Sequence, residues 1–306
     1  MYYPCAKINL GLNVVAKRAD GYHDLETVFY PVDIHDELEV WINENETQST
    51  IATKTKRPTG YENSGCSLEV VGAGELCRPE HNLVVKAYNL LKERYDLPGV
   101  RARLTKHIPM QAGMGGGSSD GAYMIRALNE VCSLGMTVEE MQGYAARLGA
   151  DCPFFITAQP AYAEGIGERL FEVSFHENAK LLDRHHLVLI KPDVAVSTKE
   201  AYAGITPHPA EHNCREVVGT LPMSEWRGRL TNDFEDSIFD KLPILREVKE
   251  AMYDSGATYA SMSGSGSTIY GLFPDSIDEE YLLTQSNISR YADKYFFKII
   301  KKENRQ

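Results

Sequence analysis

Metal-binding and redox cysteine motifs are missing from this sequence. Its six cysteines, Cys5, Cys66, Cys77, Cys132, Cys152 and Cys214, include no C-x-x-C pair, which argues against a zinc ribbon or a thioredoxin-type centre. A long apolar run is missing too: nothing approaches the roughly 20 residues of a membrane helix, and the start, Met1 to Lys7, lacks the basic stretch and apolar core of a secretory leader. Excess positive charge is also absent. The net charge is -11, so neither nucleic acid nor an anionic membrane is an expected partner, and any phosphate site has to be local. Repeats and low-complexity tracts do not occur. The expectation is a reduced, cytoplasmic chain, monomer or homodimer, with a small-molecule substrate.

What is present is ordinary globular material. The 306 residues are 43% hydrophobic and 25% charged, enough for two domains at about 150 residues each. Ala6, Ile8, Leu10, Leu12 and Val14 alternate with Lys7, Asn9, Gly11 and Asn13, which predicts a half-buried strand. Asp20-Gly21 supplies a turn before a second strand at Thr27 to Val32, and a third runs from Asp36 to Ile42. Residues 45–64 are polar and turn-rich. A helix follows Asn82, a strand covers Val100 to Leu104, and a second helix starts around Ser119. Thr137-x-x-Glu140 is a capping box opening a third helix that stops at Gly149. The pattern breaks at Gln159-Pro160 and again at Gly165 and Gly167, which puts a domain boundary there. Beyond it, strands are predicted at Leu187 to Lys191, Thr258 to Met262, Thr268 to Leu272 and Tyr295 to Ile300, with a helix at Ile244 to Asp254. Mixed strands and helices in both halves predict two α+β domains.

The segment Pro109-Met110-Gln111-Ala112-Gly113-Met114-Gly115-Gly116-Gly117-Ser118-Ser119-Asp120 runs glycines directly into a helix start. Backbone N–H groups and the helix dipole there suit a phosphate. It is neither a Walker A loop nor a Rossmann fingerprint, and a plain flexible loop with Ser118, Ser119 and Asp120 as helix caps is the alternative. A second cluster, Ser261-Met262-Ser263-Gly264-Ser265-Gly266-Ser267-Thr268, joins two strand-like runs and by itself reads first as a tight hairpin turn. Lys7 is a cation on the polar side of the first strand, a commonplace on an exposed sheet face. Asp151 lies between a helix end and an apolar segment, where burial could perturb a carboxylate or a turn could simply need an Asp.

Five motifs in this order resemble the GHMP small-molecule kinases: Pro4-x-Ala6-Lys7-Ile8-Asn9-Leu10, Asp20-Gly21-Tyr22-His23-x-Leu25, Pro109 through Asp120, Gly149-Ala150-Asp151-x-Pro153-Phe154 and Met262-Ser263-Gly264-Ser265-Gly266. The resemblance spans nearly the whole chain, and the Lys-Ile-Asn and Asp-Gly-Tyr-His motifs narrow it to members acting on a cytidine-diphosphate-linked alcohol. It implies an α+β, two-domain GHMP kinase fold. An N-terminal nucleotide-binding domain over 1–158, similar to a ribosomal-protein domain, would precede a ferredoxin-like domain over 159–306, with the active site in the interdomain cleft.

The same resemblance implies ATP with Mg²⁺ as co-substrate, no tightly bound cofactor and no protein-held metal. ATP would lie in the loop Pro109 to Ser119, with Asn82 and Lys106 in the adenine pocket and Gly264, Ser265 and Gly266 as a C-terminal glycine motif. Asp151 matches the catalytic carboxylate and Lys7 its paired cation. Tyr22 and His23 match a cytosine-reading pair, Thr198 and Tyr202 a substrate contact and a second aromatic on the other side of the base, and Asn9 a substrate-facing position. A kinase for another alcohol, such as homoserine or a sugar, and a non-catalytic nucleotide-binding module are the competing readings. The chain departs from the family at Cys5, Cys152, Met114 and Gln111, and nothing in 44–78 matches. His185, His186 and His208 lack metal-ligand spacing.

Overall fold

The computed structural model describes residues 1–43, 61–63, 65–72, 81–176 and 185–301. Cys77, most of the unmatched stretch 44–78 and the tail beyond Lys301 lie outside the described residues. In chain order the first elements are β1 (Cys5–Lys17), β2 (His23–His35), β3 (Glu37–Ile42), β4 (Tyr61–Asn63), β5 (Cys66–Val71), α1 (Leu83–Lys92) and β6 (Val100–Thr105). Then come α2 (Gly116–Val131), α3 (Val138–Leu148), α4 (Cys152–Thr157), β7 (Ala161–Glu164), β8 (Arg169–Glu172) and β9 (His185–Lys191). The last are α5 (Thr198–Ala203), α6 (Cys214–Thr220), α7 (Phe234–Lys241), α8 (Pro243–Asp254), β10 (Tyr259–Met262), β11 (Ile269–Pro274), α9 (Glu279–Thr284) and β12 (Phe296–Ile300). Among the described residues no helix is long and apolar enough to cross a membrane.

Two compact units result. The first comprises residues 1–6, 31–110 and 115–159, the second 7–30, 111–114 and 160–306. The division is therefore more than a cut at 158: residues 7–30 group with the second half because β2 hydrogen-bonds to β7, Thr27 opposite Ala163 and Phe29 opposite Ala161.

In the first unit a sheet runs β3-β6-β5-β4, with β6 antiparallel to β3 and parallel to β5. Strand β6 alternates as period two requires: Ala102 and Leu104 are buried while Arg101 and Arg103 are exposed. Helix α1 opens at Asn82, whose side chain accepts from the Val84 N–H, and buries Val84, Val85, Ala87, Tyr88 and Leu91. Helix α2 packs against α1 and β3. The capping box forms as the spacing predicts: Thr137 Oγ1 accepts from Glu140 N at 3.2 Å, and Glu140 Oε2 from Thr137 N at 2.9 Å.

Two starts differ from expectation. Helix α2 begins at Gly116 rather than near Ser119, because Gly115 at φ 70° turns the chain where a side-chain cap would stand. The apolar segment after Asp151 is the short helix α4, with Pro153 in its first turn, where the missing N–H costs nothing. Six residues are too few to show a helical period.

The second unit holds the sheet β1-β2-β7-β8 and the antiparallel sheet β10-β11-β9-β12. The latter has the order and the strand–helix alternation of the ferredoxin-like split βαβ, with α8 packed on β10 and β11. Leu12, Val188, Ile190, Phe234, Leu245 and Met262 are among its core residues. Strand β1 corrects the half-buried reading, since both of its faces are buried from Cys5 to Val14. Lys7, Asn9 and Asn13 are 4%, 2% and 4% exposed, which a sheet tolerates only where each polar group finds a partner.

Candidate active site

The glycine loop enters α2 without a side-chain cap. Ser118, Ser119 and Asp120 lie inside the helix, so the reading of them as caps is overturned. The first-turn N–H groups, which lack partners within any helix, form the positive end of the dipole. Loop residues Ala112 and Met114 are buried, whereas Met110 and Gln111 are exposed and Pro109 half-buried. Gly113 has φ 71°, and a Cβ there would stand 1.9 Å from the Ser263 carbonyl oxygen. Ser263 donates from Oγ to the Gly113 carbonyl at 2.8 Å, and Thr268 donates its N–H to the Ala112 carbonyl at 3.2 Å. The second glycine cluster is thus a hairpin turn between β10 and β11, as its sequence reads, and at the same time the backing of the first.

Asp151 is half-buried immediately before α4, and its side chain makes no capping hydrogen bond. The neighbouring Cys152 thiol is pushed up to about 12 by burial, and its hydrogen bond with Ser118 opposes that shift. Ser118 sits in the first turn of α2, so within one unit the candidate carboxylate lies one residue from a side chain hydrogen-bonded to the start of that helix.

Lys7 approaches the same loop by its backbone, donating its N–H to the Met114 carbonyl at 3.0 Å. Its Nζ donates to Asn9 Oδ1 at 2.5 Å and lies 4.7 Å from the centre of the Phe29 ring. The exposed-face explanation of this lysine is overturned by its burial: an ammonium is not desolvated in a strand without carbonyl and aromatic partners. Gly264, also at positive φ, comes close to the same residues. Its Cβ would be 3.3 Å from Asn9 Oδ1.

The turn between β1 and β2 presents Tyr22, which is 61% exposed. Arg18 pairs with Asp20 and Asp24, Asp20 Oδ1 accepts from Tyr22 N at 3.1 Å, and Gly21 takes φ 87°. His23 stacks on Tyr202 at 4.8 Å, and Tyr202 meets Phe234 edge-on at 4.9 Å. Thr198 is exposed at the first position of α5, whose cap is Ser197 rather than Thr198. His23, Tyr202 and Phe234 thus form one aromatic group, with Tyr22 exposed on the adjoining turn. No described contact joins Thr198 to it.

Asn82 and Lys106 have partners within the protein. The Asn82 side-chain oxygen caps α1. Lys106 Nζ is bound between Asp36 and Asp120, at 2.6 Å from Asp120 Oδ2. Asp36 Oδ1 accepts from the N–H groups of His107 and Ile108 as well. A Cβ at Gly116 would lie 3.4 Å from Lys106 Nζ, which puts this charge cluster beneath the start of α2.

Burial, with the nearby Asp36 charge adding to it and Lys106 opposing it, raises the Asp120 carboxyl to about 7. A raised carboxyl stabilises the fold below the ordinary carboxylate range and loses that contribution as pH rises to about 7. Asp120→Asn should accordingly flatten the decline of stability between pH 5 and 7. Asp36→Asn should cost about 3 kcal/mol, because it places an amide N–H against a buried ammonium. Urea unfolding at two pH values measures both; equal losses for the two variants would contradict the assignment.

Sequence reasoning missed Asp36, Thr27 and Phe29. Asp36 carries no motif. Thr27 and Phe29 share a period-two face with Leu25, a pattern that signals a strand but not what the face touches.

Family descriptions match both halves of this arrangement: "GHMP kinases N terminal domain" at residues 82–159 and "GHMP kinases C terminal" at 222–283. The chain belongs to the GHMP kinases and is an ATP-dependent kinase. A 4-diphosphocytidyl-2-C-methyl-D-erythritol kinase of Bacteroides fragilis is 47% identical over 271 residues, 89% of this chain and 91% of that one. One of Parabacteroides distasonis is 43% identical over 284 residues, 92% and 95% of the two chains. The crystal structure of a 4-(cytidine 5'-diphospho)-2C-methyl-D-erythritol kinase superposes with a TM-score of 0.72 at 28% identity, covering 97% of each chain.

Proposed function

We propose that this kinase transfers the γ-phosphoryl group of ATP to the 2-hydroxyl of 4-diphosphocytidyl-2-C-methyl-D-erythritol, a step of the methylerythritol phosphate route to isoprenoids. The observation that carries the kinase chemistry is the buried Lys7 ammonium on a strand whose backbone is hydrogen-bonded to the glycine loop. The substrate reading rests on the relatives and on the Asp20-Gly21-Tyr22-His23 turn with its aromatic group.

The hydroxyl oxygen forms a bond to the γ-phosphorus as the bond from that phosphorus to the β,γ-bridging oxygen breaks, and ADP leaves. The hydroxyl proton passes to the Asp151 carboxylate. Lys7 offsets the charge that builds on the transferring group, and the uncapped start of α2 holds the phosphates in line. Direct transfer needs no phosphoenzyme. Ser119 Oγ is fully buried and lacks a hydrogen-bond partner, a hard oxygen at the head of α2 that fits Mg²⁺. Brought in on ATP, Mg²⁺ would neutralise phosphate charge there, with Ser119 as the residue to hold it. The described cysteines are all free, which suits the cytoplasm.

Tyr22 would stack on the cytosine while His23 reads its edge, and Tyr202 would close the other face. An ADP-release assay over a panel of alcohols tests the reading: turnover is expected with the cytidyl alcohol, whereas robust turnover of homoserine or a sugar without it would overturn the substrate. Tyr22→Ala should raise KM for the cytidyl alcohol several-fold and leave KM for ATP unchanged. Equal rises would remove Tyr22 from base recognition.

A further inference from the structure

We infer that Thr27 is a positioning residue for phosphoryl transfer, setting through Asn9 the polarity that the Lys7 ammonium meets. The inference rests on Lys7 being the charge-offsetting cation of the proposed reaction.

Four groups on β1 and β2 form one hydrogen-bonded run. Lys7 Nζ donates to Asn9 Oδ1 at 2.5 Å, Asn9 Nδ2 donates to Thr27 Oγ1 at 3.0 Å, and Thr27 Oγ1 donates to the Gly11 carbonyl at 2.5 Å. The direction of the run is forced from both ends. An ammonium can only donate, so the Asn9 atom facing Lys7 has to be oxygen. A backbone carbonyl can only accept, so the single Thr27 proton goes to Gly11, and Thr27 can only accept from the Asn9 atom facing it, which has to be NH₂. The two ends agree on one amide orientation.

The rest of Asn9 is already immobile. Its N–H donates to Ser263 Oγ at 3.3 Å and its carbonyl accepts from the Tyr270 hydroxyl at 2.8 Å. Gly11 is confined too: at φ 69°, a Cβ there would stand 2.6 Å from both Cys214 Sγ and Leu230 Cδ1. Rotation of the Asn9 amide is the freedom that remains, and the Thr27 hydroxyl removes it. Without that hydroxyl the Lys7 ammonium is the one group left in the run to hold the amide against its flipped form, which would turn N–H groups toward a buried cation, and the Asn9 NH₂ loses its acceptor. Phe29, two residues further along the same face of β2, supports the ammonium from its ring and supplies no orientation.

The test compares Thr27→Val with Thr27→Ser in the ADP-release assay, with ATP and the cytidyl alcohol, alone and combined with Lys7→Met. Thr27→Val should lower kcat by about tenfold or more while both KM values stay within about twofold, and Thr27→Ser should keep kcat near wild type. In the Lys7→Met background Thr27→Val should produce no additional loss, since it acts through that ammonium. A fully active Thr27→Val, a Thr27→Ser as impaired as the valine variant, or the same fractional loss with and without Lys7 would each overturn the inference. Should Thr27→Val not fold, as judged by its thermal melt, Thr27→Cys takes its place, keeping the volume with only a weak donor. Lys7→Met by itself separates the two levels: wild-type turnover in that variant would remove the reading of Lys7 on which the inference rests. Loss in Lys7→Met beside a fully active Thr27→Val removes the positioning role alone.

Discussion

Asp151→Asn is expected to lower kcat with the cytidyl alcohol by at least roughly 10²-fold, the lower end of what a positioned proton acceptor supplies. Asparagine keeps the shape of the side chain and cannot accept the hydroxyl proton. The loss should appear in kcat and in kcat/KM together, with KM for ATP unchanged, because the proposed function assigns the nucleotide to the loop and the start of α2. Folding should survive, since asparagine matches the volume and shape of this half-buried side chain. Steady-state kinetics beside a thermal melt read both expectations. Wild-type turnover would remove the carboxylate from the chemistry and leave Lys7 with the glycine loop as the whole of the charge compensation.

Gly113→Ala is the second large effect. The alanine Cβ would start 1.9 Å from the Ser263 carbonyl oxygen at a backbone φ of 71°. Backbone against backbone cannot yield as a flexible side chain can. The loop and the β10–β11 turn have to separate by about 1 Å or more, and a displacement of that size at a reacting centre costs on the order of 10²-fold in rate. The left-handed conformation adds about 1–2 kcal/mol of strain. Separation would also stretch the Ser263 to Gly113 hydrogen bond, so both stability and kcat/KM for ATP should fall. Gly143→Ala is the contrast: it lies within α3 with open space around its Cβ, and it should stabilise the protein by roughly 0.5–1 kcal/mol without touching activity. A Gly113→Ala variant with wild-type ATP kinetics would show that the loop does not depend on its backing.

Much of this architecture is readable in the chain. The alternation of β1, the apolar spacing after Asn82 and the Thr137–Glu140 box each depend on residues within one element, and each is present where the pattern puts it. Elements of only four to six residues, such as α4, β7 and β8, repeat their pattern too few times to be readable that way. The start of α2 is instructive for another reason: serines near a helix start normally signal caps, and here a left-handed glycine takes that position and moves the serines inside. The motifs of the candidate site are local strings and were therefore legible, while the partners that orient them were not.

Local sequence, then, determined the family, the glycine loop, the aromatic turn and the candidacy of Lys7 and Asp151, because each is a short run whose chemistry is carried by its own residue types. Only the tertiary structure decided that the polar face of β1 is buried. It alone also decided that Lys106 is bound between Asp36 and Asp120, that the second glycine turn backs the first, and that Thr27 reaches Lys7 through Asn9. Apart from the Lys7–Asn9 step within β1, these are pairings between residues separated by 14 to 254 positions. Burial and hydrogen-bond direction depend on what the fold brings alongside a residue, which no pattern within its own strand or helix encodes.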